Sequence, residues 1–249
     1  MDVLISSFTK YNKILHACLR NYDQLSPKIN IRVITDSNDR FVPKNINLEY
    51  NIHENDIGWL SSIMQLLKTY DEDDYVILCM DDLMPISYMG NENLNAYIKF
   101  AIDHKVDSLK LYEPPSQRIF SSIDSNFSSI RSCIQDKYPI STMFSIFKVL
   151  FLKELLKKSN DAWDFEQNAS KRIKKNSACF TAPCNIFDFS NIVIKGKVVE
   201  SRLKGNENED EDFILNKMSK IDLIKHFIII TISTLRTFSL KKLFKFLFH

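Results

Sequence analysis

Short apolar runs alternate with stretches of helical spacing along the first half of the chain. Val3-Leu4-Ile5-Ser6-Ser7-Phe8 reads as a strand, and Ile14, Leu15, Cys18, Leu19 and Tyr22 then share one face of a helix that Thr9 is placed to cap. Pro27 ends that helix. Ile29 to Thr35 forms a second strand that stops at the polar loop Asp36-Ser37-Asn38-Asp39, and Asn47 to His53 forms a third. Asp56 is placed to cap a helix running to Tyr70, with Trp59, Ile63, Leu66 and Leu67 on its apolar face. The strongest strand signal is Tyr75-Val76-Ile77-Leu78-Cys79-Met80, an unbroken apolar run of the kind buried on both faces of a sheet. It runs straight into Asp81 and Asp82, and Pro85 is expected to break regular structure soon after. A helix from Asn93 to Asp103 and a strand from Ser108 to Tyr112 follow. This alternation predicts an α/β fold with a mostly parallel sheet flanked by helices.

The second half reads differently. Glu113 to Ser132 is rich in serine, has paired prolines and shows no period, so it is expected to be a long loop. Ile140 to Lys148 predicts a strand, followed by a helix through Leu155 and Leu156. Asp161 is placed to cap a short helix that carries Trp163 and Glu166 one turn apart. Ile192 to Ile194 predicts a last short strand turned by Gly196. The acidic run Asn206-Glu207-Asn208-Glu209-Asp210-Glu211-Asp212 then marks a boundary. Beyond it Lys217, Lys220, Lys225, Arg236, Lys241, Lys242 and Lys245 face a single acid, Asp222, with Phe and Leu residues between them. Its uncharged stretch from Phe227 to Leu235 is shorter than the ~20 residues that span a bilayer. Two readings of this tail stand: a basic amphipathic helix on an anionic membrane surface, or a helix packed back on the domain. The expected organisation is a catalytic domain over 1–203, an acidic linker over 204–216 and a basic helical tail over 217–249.

Composition narrows the chemistry. With only 4 glycines among 249 residues, no glycine-rich phosphate loop can be assembled. The 5 cysteines lack paired zinc-ligand spacing, which points to free thiols in a reducing compartment. The first residues lack the basic start of a secretory signal, so a cytoplasmic location is expected. No cluster of basic and aromatic residues in the first 203 positions points to nucleic acid.

The candidate chemistry sits at strand ends. In an open α/β sheet ligands bind beyond the carboxyl ends of the strands, where Asp81 and Asp82 are suited to a divalent cation and, through it, a phosphate. From these residues alone, a solvated acidic turn accounts for the pair equally well. Glu166 is a candidate proton acceptor, with a surface acid as the alternative and Trp163 then a core anchor.

The strand at the N-terminus, the polar loop at Asp36 and the Asp-Asp pair after the fourth strand together resemble GT-A glycosyltransferases. The chain looks in particular like small bacterial enzymes of surface-polysaccharide pathways (O-antigen, capsule or lipooligosaccharide). Tyr138-Pro139-Ile140-Ser141 runs into Phe144-Ser145-Ile146-Phe147 and a Leu-rich helix, and Trp163-Asp164-Phe165-Glu166 is similar to the W-x-F-E motif of that group. The likeness extends from about Asp2 to Lys197.

The resemblance implies that Ser6, Ser7 and Phe8 line a nucleotide pocket and that Asp36 meets the base or ribose. It implies that Asp81 and Asp82 hold Mn2+ or Mg2+ against the diphosphate of a nucleotide-sugar donor, and that Glu166 faces a glycan or lipid-linked acceptor. The acids are adjacent here, where the motif of that fold is Asp-x-Asp. The expected activity is metal-assisted glycosyl transfer by a peripheral protein on the inner face of the cell membrane. The alternatives are a non-catalytic nucleotide- or glycan-binding module of an assembly complex, or a metal-dependent nuclease or phosphatase using Asp81, Asp82 and Glu166.

Overall fold

The structure, a computed structural model, describes residues 1–112, 130–134, 136, 138–194, 197–199, 218–222, 224–225 and 227–228. The strands are β1 (Asp2–Ser6), β2 (Asn30–Thr35), β3 (Asn47–Ile52), β4 (Tyr75–Met80), β5 (Leu83–Tyr88), β6 (Ser108–Lys110), β7 (Arg131–Ser132), β8 (Ser145–Lys148), β9 (Cys179–Thr181), β10 (Phe187–Asn191), β11 (Val193–Ile194) and β12 (Lys197–Val198). The helices are α1 (Asn12–Leu25), α2 (Trp59–Leu66), α3 (Asn91–Asp103), α4 (Val149–Lys157), α5 (Ala162–Gln167) and α6 (Ala169–Arg172).

Eight strands form one sheet in the order β3-β2-β1-β4-β8-β6-β9-β7. The first four are parallel to one another, β8 runs antiparallel to both its neighbours, and β6 and β9 are parallel again. The fold is thus α/β with a mostly parallel central sheet. The chain moves outward from β1 to β3, then returns to lay β4 on the other side of β1. Between β1 and β4 the strand order reverses, and in open α/β sheets ligands bind beyond the carboxyl ends of the strands at such a point.

The alternation within each central strand builds the two halves of the core. Val3, Ile5, Ile77 and Cys79 pack with α1 and α3 residues such as Leu15, Leu19, Tyr22 and Leu94. Leu4, Val76 and Leu78 point the other way, against Ile63 and Leu66 of α2, Leu152 and Leu155 of α4, and Phe165 of α5. With both faces covered, β1 and β4 read as continuous apolar runs, not as alternating ones.

Several expectations from the pattern are corrected. Thr9 caps nothing with its side chain; its own N–H is capped by Asp36, and a 3-10 turn over Thr9–Tyr11 precedes α1. The cap of α2 is Gly58, whose N–H is held by Asp56. Pro85 does not end regular structure. After a turn at Asp81-Asp82 the chain resumes as β5, which pairs antiparallel with β10, and Pro85 sits opposite Phe189 beside a register shift. A two-stranded ribbon tolerates proline at such an irregularity because a missing N–H breaks no continuous ladder. The strand foreseen from Ile140 is regular only from Ser145. Phe144 before it has φ 50°, a left-handed conformation costing about 1–3 kcal/mol in a residue with a β-carbon. It is held there by its buried ring against Phe187 and Phe189 and by its carbonyl, which accepts the Leu111 N–H.

All five cysteines are free thiols and four are buried. The expected loop after Glu113 lies outside the described residues through 129, as do the acidic run and most of the tail. Where the tail is described, over 220–222, 224–225 and 227–228, it is helical. Its start is tied to β12: the Met218 N–H donates to the Val198 carbonyl at 2.7 Å, and Lys197 pairs with Asp222 at 3.2 Å. Among the described residues no helix is long and apolar enough to cross a membrane.

Candidate active site

Ser7 follows β1 and Asp81 follows β4, so the reversal of strand order sets them side by side. The Ser7 hydroxyl donates to the Asp81 carboxylate at 2.7 Å, and both residues are buried. Asp82 completes the turn, and its carbonyl accepts the N–H of Ile192, just past β10. The ribbon of β5 and β10 therefore pins a turn that β4 alone would leave to solvent.

Both carboxylates are hard to ionise. Burial pushes Asp81 upward, opposed by the Ser7 hydroxyl and by the charge of Lys10. Burial pushes Asp82 up further, with help from Asp81 beside it and from Glu166. The field of the pair also raises Tyr11, after burial as the larger cause. Lys10 and Tyr11 thus belong to the site, although periodicity marked them only as a helix entrance.

Asp36, at the end of β2, accepts the Thr9 N–H at 2.6 Å and fixes the turn carrying Lys10 and Tyr11. Ser6 is buried, its hydroxyl without a hydrogen-bond partner among the described residues, and Phe8 is half-buried. The structure therefore gathers Ser6, Ser7, Phe8, Asp36, Asp81 and Asp82 along the carboxyl edge of β2, β1 and β4.

Glu166 arrives from the other side. Asp161 caps α5 by accepting the Asp164 N–H at 2.7 Å, as the spacing foresaw. The Asp164 carboxylate is gripped by Arg172 at 2.7 Å, which with other donors lowers it to about 2. Phe165 anchors the helix in the core between Trp59 and Phe147, at ring distances of 5.7 and 6.1 Å. Glu166 Oε1 then accepts from the Ser141 hydroxyl at 3.2 Å and from the Thr142 hydroxyl and N–H. The second oxygen, Oε2, takes no hydrogen bond from a described residue. Trp163, the alternative core anchor, is instead exposed.

A cleft of about 190 Å³ lies beside Glu166, lined among others by Tyr112, Tyr138, Met143 and Trp163. A larger depression of about 270 Å³ sits at the opposite edge of the sheet, between α4 and the start of β9, away from the aspartates.

The residues present fit a divalent cation. Mg2+ and similar ions bind through one or two carboxylates and complete their shell with water and substrate phosphate. Adjacent aspartates that repel each other, one buried and one half-buried, are a donor set such an ion would relieve. Glu166 stays outside that set: among the described residues no three acids, cysteines or histidines converge on one ion position.

Neither a protein-family model nor a curated protein matches the sequence. Solved structures similar to the chain include residues 1–349 of S. aureus TarS, at 16% identity and a TM-score of 0.43, covering 73% of this chain and 59% of that one. UDP-glucose pyrophosphorylase complexed with UDP-glucose is similar at 8% identity and 0.43, covering 76% and 91%. The galactosyltransferase LgtC, in complex with donor and acceptor sugar analogs, is similar at 10% identity and 0.34, covering 61% and 59%. This chain thus spans about three fifths of the length of the TarS fragment and of LgtC.

Proposed function

We propose that this protein is a glycosyltransferase, moving a sugar from a nucleotide-sugar donor to a hydroxyl of a lipid-linked or surface glycan. The observation that carries the reading is the Asp81–Asp82 pair at the strand-order reversal, Asp81 buried and Asp82 half-buried, with the Glu166 carboxylate within electrostatic reach. Ser6, Ser7, Phe8 and Asp36 would border the nucleotide. Asp82, with Asp81, would hold Mn2+ or Mg2+, which when bound neutralises charge developing on the departing diphosphate. Lys10 adds a positive charge on the same side.

Glu166 supplies the other half of the chemistry. As the acceptor oxygen bonds to the anomeric carbon, Glu166 Oε2 takes its proton. The bond from that carbon to the donor's phosphate oxygen breaks, and the nucleotide leaves with the electron pair. The donors on Oε1 hold the carboxylate while Oε2 does this work.

The tail supports a place at the inner membrane face, where lipid-linked acceptors are presented. Ile221, Ile224, Phe227 and Ile228 are exposed at helical spacing, with Lys220 and Lys225 among them. Such a row binds an anionic bilayer surface without spanning it.

The test is to incubate the protein with UDP-, GDP-, CMP- and dTDP-sugars, with and without Mn2+, and to follow nucleotide release. Metal-stimulated release from one donor class is the expected result. Tight nucleotide binding with no release from any donor favours the non-catalytic binding module, for which the departure from Asp-x-Asp speaks.

A further inference from the structure

We infer that the cleft beside Glu166 is the seat of the acceptor's terminal sugar, a neutral pyranose stacked by its C–H face on the Trp163 indole. This rests on the transferase reading and names the substrate class that the site would take.

The orientation of Trp163 is forced. Capping by Asp161, the Asp164–Arg172 ion pair and the buried ring of Phe165 leave α5 no freedom to rotate. With Phe165 1% exposed, Trp163 is driven outward to 69%. A lone exposed aromatic means little by itself. This one lies in the wall of a cleft, one helical turn from the unengaged oxygen of a carboxylate.

The lining fits a sugar better than other small ligands. Tyr112, Tyr138 and Met143 give it apolar and aromatic surface, with a few convergent polar groups, the usual make-up of a ligand site. Its 190 Å³ is below the roughly 300 Å³ of drug-sized pockets and suits a single ring. A pyranose carries C–H groups on one face and hydroxyls on its rim. The π-face of an indole meets the first, and Glu166 Oε2 accepts from the second. The charge of the cleft selects a neutral ring. Among the described residues of the lining the charged ones are Lys110 and Glu166, and the Lys110 ammonium is bound to Asp136 at 3.2 Å and to the Tyr138 carbonyl at 3.0 Å, which leaves the Glu166 carboxylate as the described charge facing a ligand. A uronic or sialic carboxylate would be repelled.

The experiment is saturation-transfer NMR on the full chain without donor. The probes are the methyl glycosides of glucose, galactose, mannose, N-acetylglucosamine and glucuronic acid. At least one neutral glycoside should receive saturation at its ring C–H protons. That signal should fall severalfold in Trp163→Ala and survive largely in Trp163→Phe, with an unchanged melting temperature. Equal signal in Trp163→Ala, a glucuronide that registers as strongly as the neutral sugars, or no response from any neutral glycoside overturns the inference. UDP, GDP, CMP and dTDP with Mn2+ serve as a separate arm. Glycoside binding without any nucleotide binding upholds the sugar seat while removing the transferase.

Discussion

Ser7 and Asp81 are 74 positions apart in sequence and share a 2.7 Å hydrogen bond. Each follows one of the two strands between which the sheet reverses its order, so the topology itself brings them into contact. The serine steadies one aspartate and leaves Asp82, the less buried of the two, for a ligand. A candidate site therefore follows from topology plus a single turn, without a glycine-rich loop.

Asp82→Asn should abolish transfer and leave the fold intact, because Asp82 lies past the strand end and supports no core packing. It should also change stability with pH. In the folded state Asp82 is raised to about 7 from an ordinary 3.8, chiefly by burial, so between those values the folded chain holds more protons than the unfolded one. Stability is then greater in acid and is lost as pH rises through the raised value. In EDTA the wild-type melting temperature should fall between pH 5 and pH 8, and the variant should fall less. An equal or steeper fall in the variant refutes the assignment.

Glu166→Gln keeps the shape of the side chain but cannot take a proton. The maximal rate should drop by about two to four orders of magnitude, the usual worth of general base catalysis. Donor binding, measured by calorimetry, should hardly change. Near-normal turnover would reduce Glu166 to a brace for Ser141 and Thr142.

Lys10→Ala tests a residue that only the tertiary structure brings to the site. An exposed charge beside a phosphate is worth about 1 kcal/mol, so nucleotide affinity should weaken roughly fivefold at low salt. The difference should shrink as salt is added. A change that is independent of salt argues against a role through charge.

Ile224→Asp places a charge in the exposed row of the tail while leaving the Lys197–Asp222 pair in place. Each basic residue near an anionic surface contributes about 1 kcal/mol, and the apolar row adds to that. Flotation with phosphatidylserine-containing vesicles should decrease in the variant, and wild-type flotation should weaken with salt. Donor hydrolysis should be unaffected. Vesicle binding indifferent to both changes would return the tail to the domain.

The chain's own pattern determined the central strands, the helices between them and the position of Asp81 and Asp82. Those features depend on neighbours close in sequence: an apolar run long enough for a buried strand, a period that gives a helix one face, a carboxylate where Asp161 can reach the next turn. The Asp161 cap made the short helix legible, while Glu166 itself was singled out by the resemblance of Trp163-Asp164-Phe165-Glu166 to a W-x-F-E motif. The β5–β10 ribbon was illegible, since Pro85 argues against a strand and Phe187-Asp188-Phe189-Ser190-Asn191 finds its partner about a hundred residues away in sequence. Lys10 gave no signal, being an ordinary exposed lysine until Asp36 pins its turn beside Asp81. Trp163 was decided last. Either it or Phe165 could have filled the core, and only the space between Trp59 and Phe147 sent the smaller ring inward and the larger one out to the cleft.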